Sequence, residues 1–183
     1  MLDLIQNLDA GILLWIQDVV RQDWLNPLVC FYTRLGDDGL MWILLSLAMV
    51  FYRPTRKAGI AALCAMLLGL IVNNMIIKEL VARPRPWLSV EGLEYVMYEA
   101  SKNSFPSGHT CASFAAAAAW RSQAPRKWIG IVGTVLAVLM GMSRMYIGVH
   151  YLTDVLAGAA VGTFCGWMAV RFCAGIAEKR DKK

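Results

Sequence analysis

The stretch from Ala58 to Ile77 carries no charged side chain. A helix needs about 20 mostly apolar residues to cross the hydrocarbon core of a bilayer, and this stretch supplies them. Four more apolar stretches accompany it, at about 28–52, 107–120, 128–147 and 151–172. Hydrophobic residues reach 58% and charged residues only 17%, against about 45–50% and 25% in soluble domains. A single soluble core of this size cannot absorb so much apolar surface, whereas lipid solvates it directly. The expectation is an all-α integral membrane protein. Its core would be a helical bundle of five to six transmembrane helices in one domain.

Within that domain, residues 1–24 read as an amphipathic N-terminal helix. Met1, Leu4, Ile5, Leu8, Ile12, Trp15, Ile16 and Val19 fall on one stripe, interrupted by Asp3, Gln6, Asp9 and Asp18. It would lie on the membrane surface; a sixth span is the alternative. Residues 28–172 form the transmembrane bundle and 173–183 a basic cytoplasmic tail. The run Gly39–Tyr52 is too short to span alone, so Arg34–Asp38 would sit at the surface or dip into the protein. Gly158, Gly162 and Gly166 repeat a G-x-x-x-G pattern that lets helix backbones approach. The five cysteines lie mostly within apolar runs and form no C-x-x-C pair, so they read as small buried hydrophobes. Met1-Leu2-Asp3 lacks the basic start of a cleavable signal peptide.

Net charge is +5, but the cations form no surface stripe for nucleic acid. Arg53, Arg56 and Lys57 follow the first stretch, and Arg121, Arg126 and Lys127 the third. Arg171, Lys179, Arg180, Lys182 and Lys183 end the fifth. Alternating spans put these three groups on one side, and together they hold well over half of the 18 Lys and Arg. The positive-inside rule assigns that side to the cytoplasm. The loop Glu79–Phe105 and the turn at His150 then face outward. The expected location is the cell membrane, multi-pass, with the site on the extracytoplasmic side.

The outward ends gather three polar clusters. Lys78, Arg83 and Arg85 close the second span. Ser104-Phe105-Pro106-Ser107-Gly108-His109 opens the third. Ser143-Arg144 ends the fourth, and His150 with Asp154 opens the fifth. Lys78, Arg85 and Arg144 repel one another unless an anion lies between them, and Arg presents a fork suited to phosphate oxygens. Pro106 is expected at a helix start, with Ser107, Gly108 and His109 in the first turn, where backbone N–H groups can bind an anion. His150 and Asp154, four apart, share a helix face, so the carboxylate can fix the imidazole tautomer. His109 and His150 are the only two histidines. One can attack phosphorus while the other protonates the departing oxygen.

Each cluster has a plainer explanation. Lys78, Arg83 and Arg85 can anchor a span at the interface. Pro106-Ser107-Gly108 can be a turn and cap, and Asp154 a packing contact. Two histidines with scattered carboxylates show no zinc-site spacing. These explanations do not account for all the clusters sharing one face.

The residues match three motifs. Lys78 to Arg85-Pro86 is K-x6-R-P. Pro106-Ser107-Gly108-His109 is P-S-G-H. Ser143-Arg144 to His150 and Asp154 is S-R-x5-H-x3-D. In this the chain resembles the type-2 phosphatidic acid phosphatase superfamily, which also includes vanadium haloperoxidases. The resemblance implies that His150 is the nucleophile, forming a phosphohistidine, with Asp154 orienting it. His109 would be the general acid. Lys78, Arg85, Ser107, Gly108 and Arg144 would bind phosphate oxygens. No metal or other cofactor would be needed. Arg83 lies outside the matched positions, as a possible supporting or headgroup contact, and Asn74 shares a helix face with Lys78. The substrate would be a lipid phosphate or diphosphate reached through the membrane, with undecaprenyl diphosphate favoured by the compact chain and outward site. Phosphatidylglycerol phosphate, phosphatidic acid, or transfer to an acceptor other than water are the alternatives. Residues 87–105 and the N-terminal helix would shape the lipid's path, and nucleic acid is not an expected partner. An anion transporter would use similar charges, whereas a haloperoxidase does not fit a chain made mostly of spans.

Overall fold

The computed structural model describes residues 2–181. Met1, Lys182 and Lys183 lie outside that range, as do the side chains of Lys179 and Arg180 in the expected basic tail. Helices dominate: α1 (Leu2–Trp15), α2 (Asn26–Leu35), α3 (Leu40–Phe51), α4 (Arg56–Gly69), α5 (Lys78–Val81), α6 (Pro86–Ser89), α7 (Gly108–Gln123), α8 (Lys127–Tyr146) and α9 (Leu152–Asp181). A π-helical stretch, Leu70–Ile77, joins α4 to α5 without a break.

Five helical segments, α3, α4–α5, α7, α8 and α9, build the bundle. Three are long and apolar enough by themselves to cross a membrane: 53–81, Lys127–Tyr146 and Leu152–Gly175. Helix α7 is the exception that explains itself. It is only mildly apolar because α4, α8 and α9 surround it, and Ala115, Ala116, Ala117 and Ala119 are all buried. Small side chains there let four helices converge. The glycine stripe of α9 faces α7, where a Cβ on Gly158 would lie 2.5 Å from the Ser107 carbonyl. That close approach brings the start of α7 against the start of α9. Trp42 and Trp120, with ring centroids 5.4 Å apart, fill the core toward the other end.

Helix α1 lies across one end of the bundle. Gln6 donates to the Tyr151 hydroxyl, Thr153 N–H donates to Asp9, Gln17 donates to the Gly92 carbonyl, and Arg21 donates to the Glu94 and Tyr146 carbonyls. Gln17 and Arg21 belong to the turn after α1, and these partners lie at the end of α8, the start of α9 and the loop after α6. Leu4, Leu8 and Trp15 stay exposed.

Candidate active site

The same end holds every motif residue. Helix α4 runs through its π-helical stretch into Lys78. Beyond it, the segment Ala82–Arg85 pairs with the returning loop: Ser104 N–H donates to the Arg83 carbonyl at 2.7 Å and Arg85 N–H to the Lys102 carbonyl at 3.2 Å. The Arg85 side chain is fixed by Nε donating to the Ser101 carbonyl and Nη1 to the Val149 carbonyl. His150 sits between α8 and α9, after a turn in which Gly148 adopts φ +79°. A side chain at that φ would be strained, and its Cβ would lie 2.9 Å from the Glu94 carbonyl.

A cavity of about 580 Å³ opens here. Lys78, Arg85, Glu99, Gly108, His109 and His150 border its polar end. Ile43, Leu63, Met66, Leu67 and Leu70 border the rest, so the cavity passes from charged groups into an apolar groove. His109 and His150, 41 positions apart in the chain, face one space. Ser107, Arg144 and Asp154 do not border it; they lie behind its wall, fully buried.

His150 has a readable tautomer. Its Nε2 lies 3.1 Å from Arg85 Nη1. A guanidinium only donates, so Nε2 is an acceptor and the proton resides on Nδ1. Nδ1 faces Asp154 Oδ2 at 3.5 Å, without a formed hydrogen bond. Burial first, then Arg85, Arg144, Lys78 and His109, hold the His150 imidazole well below its ordinary pKa. The ring is therefore neutral near pH 7, with its Nε2 lone pair facing Arg85.

Asp154 has firmer partners than His150. It accepts from Tyr151 N–H at 2.9 Å and from Arg83 Nη1 at 2.8 Å. Arg83 Nη2 reaches Asp9 at 2.8 Å and Gln6 at 2.6 Å. Arg83 is thus a bridge from α1 to Asp154, and no headgroup contact is needed to explain it. Arg144 is wholly buried, donating to Thr33 and Glu99. Glu99 also lies 3.8 Å from Arg85 Nη2. Burial alone would raise the Glu99 pKa, but Arg144 and Arg85 outweigh it and hold the group below the usual carboxylate range. Burial pushes the Arg85 guanidinium down to about 10, which leaves it charged.

Two expectations at the P-S-G-H turn need correction. Pro106 precedes helix α7, which starts at Gly108 with Ser107 as its cap. The Ser107 hydroxyl accepts from Thr110, and its N–H donates to the Asp154 carbonyl at 3.0 Å. That N–H is therefore committed to holding α9. The N–H groups of Gly108 and His109 remain as the first-turn donors without helical partners. A Cβ on Gly108 would sit 3.0 Å from Asn74 Oδ1, so any side chain there would press on Asn74. Asn74 accordingly buttresses Gly108, and its own partner is Asn73 at 2.7 Å. Asp9, Asp37 and Glu99 are site-end acids that no motif signals. Only the odd placement of Asp37 inside an apolar run hinted at one of them.

Comparison with known proteins agrees with this geometry. Residues 58–176 match the model of the PAP2 superfamily. An undecaprenyl-diphosphatase of Sulfolobus acidocaldarius is 29% identical over 147 residues, covering 80% of this chain and 70% of that protein. Phosphatidylglycerophosphatase B of Bacillus subtilis is 31% identical over 176 residues, covering 90% and 83%. The crystal structure of a transmembrane PAP2-type phosphatidylglycerolphosphate phosphatase from Bacillus subtilis superposes with a TM-score of 0.74 at 31% identity, covering 96% of this chain and 87% of that one. With the motif residues gathered at one end of the bundle, in and behind the wall of one cavity, and the family model matched over most of the bundle, this chain belongs to the PAP2 superfamily and is a membrane-embedded hydrolase of lipid phosphates.

Proposed function

We propose that this protein removes the terminal phosphate of a polyprenyl diphosphate, of the undecaprenyl diphosphate type, on the extracytoplasmic face of the plasma membrane. The cavity carries the reading: its cationic end suits phosphate and its apolar end suits a hydrocarbon chain. The Sulfolobus relative, named for undecaprenyl diphosphate, supports the choice of lipid.

In the reaction, Lys78, Arg85 and the Gly108 N–H hold the phosphoryl oxygens, with Arg144 contributing charge from behind. The His150 Nε2 lone pair attacks phosphorus as the bond to the leaving oxygen breaks. Asp154 stabilises the positive charge that develops on the ring through Nδ1–H. His109 donates its proton to the leaving oxygen. Water then attacks the phosphohistidine, His109 accepts the water proton, and inorganic phosphate departs. Two imidazoles facing one anion site supply a nucleophile and an acid, and the likeness to the PAP2 superfamily implies that His150 is the first and His109 the second.

The test is phosphate release by the purified protein from undecaprenyl diphosphate, phosphatidylglycerol phosphate and phosphatidic acid, with His150→Ala as control. Highest kcat/KM on the diphosphate supports the reading. A preference for either phosphomonoester assigns the other substrate class. Transfer to an added alcohol in place of water would make the protein a phosphotransferase. Full turnover by His150→Ala would refute the nucleophile.

A further inference from the structure

The scheme above leaves one contact of His109 unused. Asp37 Oδ1 lies 2.9 Å from His109 Nε2. Asp37 comes from the short 3-10 turn Asp37–Gly39, between α2 and α3. It precedes the region matched to the family, which begins at residue 58, and no motif includes it. The end of α2 that leads into the turn is tied at the site end. Tyr32 donates to the Leu136 carbonyl at 2.7 Å, and Thr33 accepts from Arg144 at 2.8 Å. The next two residues take left-handed conformations, Asp38 at φ 52° and Gly39 at φ 72°, which turn the chain back toward α3. Gly36 backs the ring: a Cβ there would lie 3.0 Å from His109 Cδ2. The imidazole is therefore located by Gly36 on one side and tethered by Asp37 at Nε2. Its other nitrogen, Nδ1, is the one left for substrate. Glu99, Arg144 and His150 are the remaining charged or titratable groups that act on it.

We infer that Asp37 is a positioning residue that tethers His109 at Nε2, so that the proton His109 takes up as phosphate binds sits on Nδ1, aimed at the leaving oxygen, and so sets which leaving groups the enzyme can expel. The inference rests on His109 being the general acid. Its consequence is selective. A phosphomonoester of a lipid alcohol leaves as an alkoxide, a strong base that must receive a proton as the P–O bond breaks. A diphosphate leaves as a phosphate anion, which departs with far less help. An imidazolium neutralised by a carboxylate supplies that proton without leaving an uncompensated charge beside Arg144. Asp37 thereby extends a diphosphatase site to phosphomonoesters.

The experiment compares farnesyl phosphate and farnesyl diphosphate, which share one chain and differ in leaving group. Full-length wild type, Asp37→Asn, Asp37→Glu and His109→Gln are assayed in detergent micelles. Asp37→Asn should lower kcat on farnesyl phosphate by about 100-fold, the low end of what a general acid contributes, and on farnesyl diphosphate by less than about 3-fold. KM should stay level, and Asp37→Glu should restore most of the lost rate. Equal losses on both substrates would mean a merely structural role and overturn the inference. So would an undiminished monoester rate in Asp37→Asn, or a wild type inert toward the monoester. His109→Gln separates the two levels of the argument: if it keeps full monoester turnover, the general-acid reading itself fails, whatever Asp37 does.

Discussion

Glu99 occupies the cations that a phosphate would need. It pairs with Arg144, lies 3.8 Å from Arg85, and its side chain remains 26% exposed at the cavity edge. Carboxylate and phosphate therefore compete for the same donors. At 3.8 Å the Coulomb attraction is about 4 kcal/mol for an effective dielectric near 20, an upper bound before desolvation and screening. The net value of a hydrogen bond to a charged group is about 1.5–3 kcal/mol. In Glu99→Gln an incoming anion no longer displaces a charge, and Arg144 loses its counter-ion. Each 1.4 kcal/mol or so is a factor of ten. Orthovanadate, which can adopt the trigonal-bipyramidal shape of the transferring phosphoryl group, should inhibit the variant about 10- to 100-fold more tightly. The smaller figure applies if the amide keeps part of the contact. The assay is the inhibition constant at pH 7 against a lipid phosphate, with wild type in parallel. An unchanged or weaker inhibition constant would refute the competition and make Glu99 a plain structural partner of Arg144.

Arg83→Met should cost stability and turnover together. It strands Asp9 and Asp154, 2% and 0% exposed, and truncating a buried pair costs about 3–5 kcal/mol, less here because Arg83 is itself partly exposed. Thermal unfolding and kcat check this; an unchanged Tm would show that α1 is not tied to the site through Arg83. The pH profile should keep its acid limb well below the ordinary imidazole range, because burial and the surrounding Arg85, Arg144, Lys78 and His109 all disfavour charging His150. Protonation at Nε2 removes the nucleophile, so the rate falls only as pH drops through that lowered value. A kcat/KM limb near pH 6.5, with chemistry limiting, would place His150 in a more solvated setting.

The spans were legible because burial in lipid leaves long uncharged runs, and the glycine stripe because close helix packing forces small residues at a fixed interval. The motif residues were legible because their spacing within each cluster is tight. The acids were not. Asp9 meets Arg83 across 74 positions and Asp37 meets His109 across 72, with no local periodicity to announce either contact. Arg83 was visible as a charge near the matched motif, but its role depends on α1 folding over the site end. The Ser107 N–H was read as a free anion donor because helix-start rules see only the helix it begins. Its capture by the Asp154 carbonyl depends on the α7–α9 approach that Gly158 permits.

These acids explain how a membrane protein tolerates so much charge near its core. Lys78, Arg83, Arg85 and Arg144 carry four positive charges at the site end. Asp9, Asp37, Glu99 and Asp154 carry four negative ones, so these eight groups balance one another while His109 and His150 are neutral. Burying a net charge costs several kcal/mol per ion even after relaxation, so this balance is a condition for folding as well as for binding. A phosphate dianion then cannot simply be added. For the charges to balance again, a carboxylate must withdraw and an imidazole must take up a proton. Glu99, at the cavity edge, can move to water, and His109, tethered to Asp37, can accept the proton. Substrate binding on this account is an ion exchange that charges the general acid as it seats the phosphate, and the withdrawal and the protonation are two halves of one step.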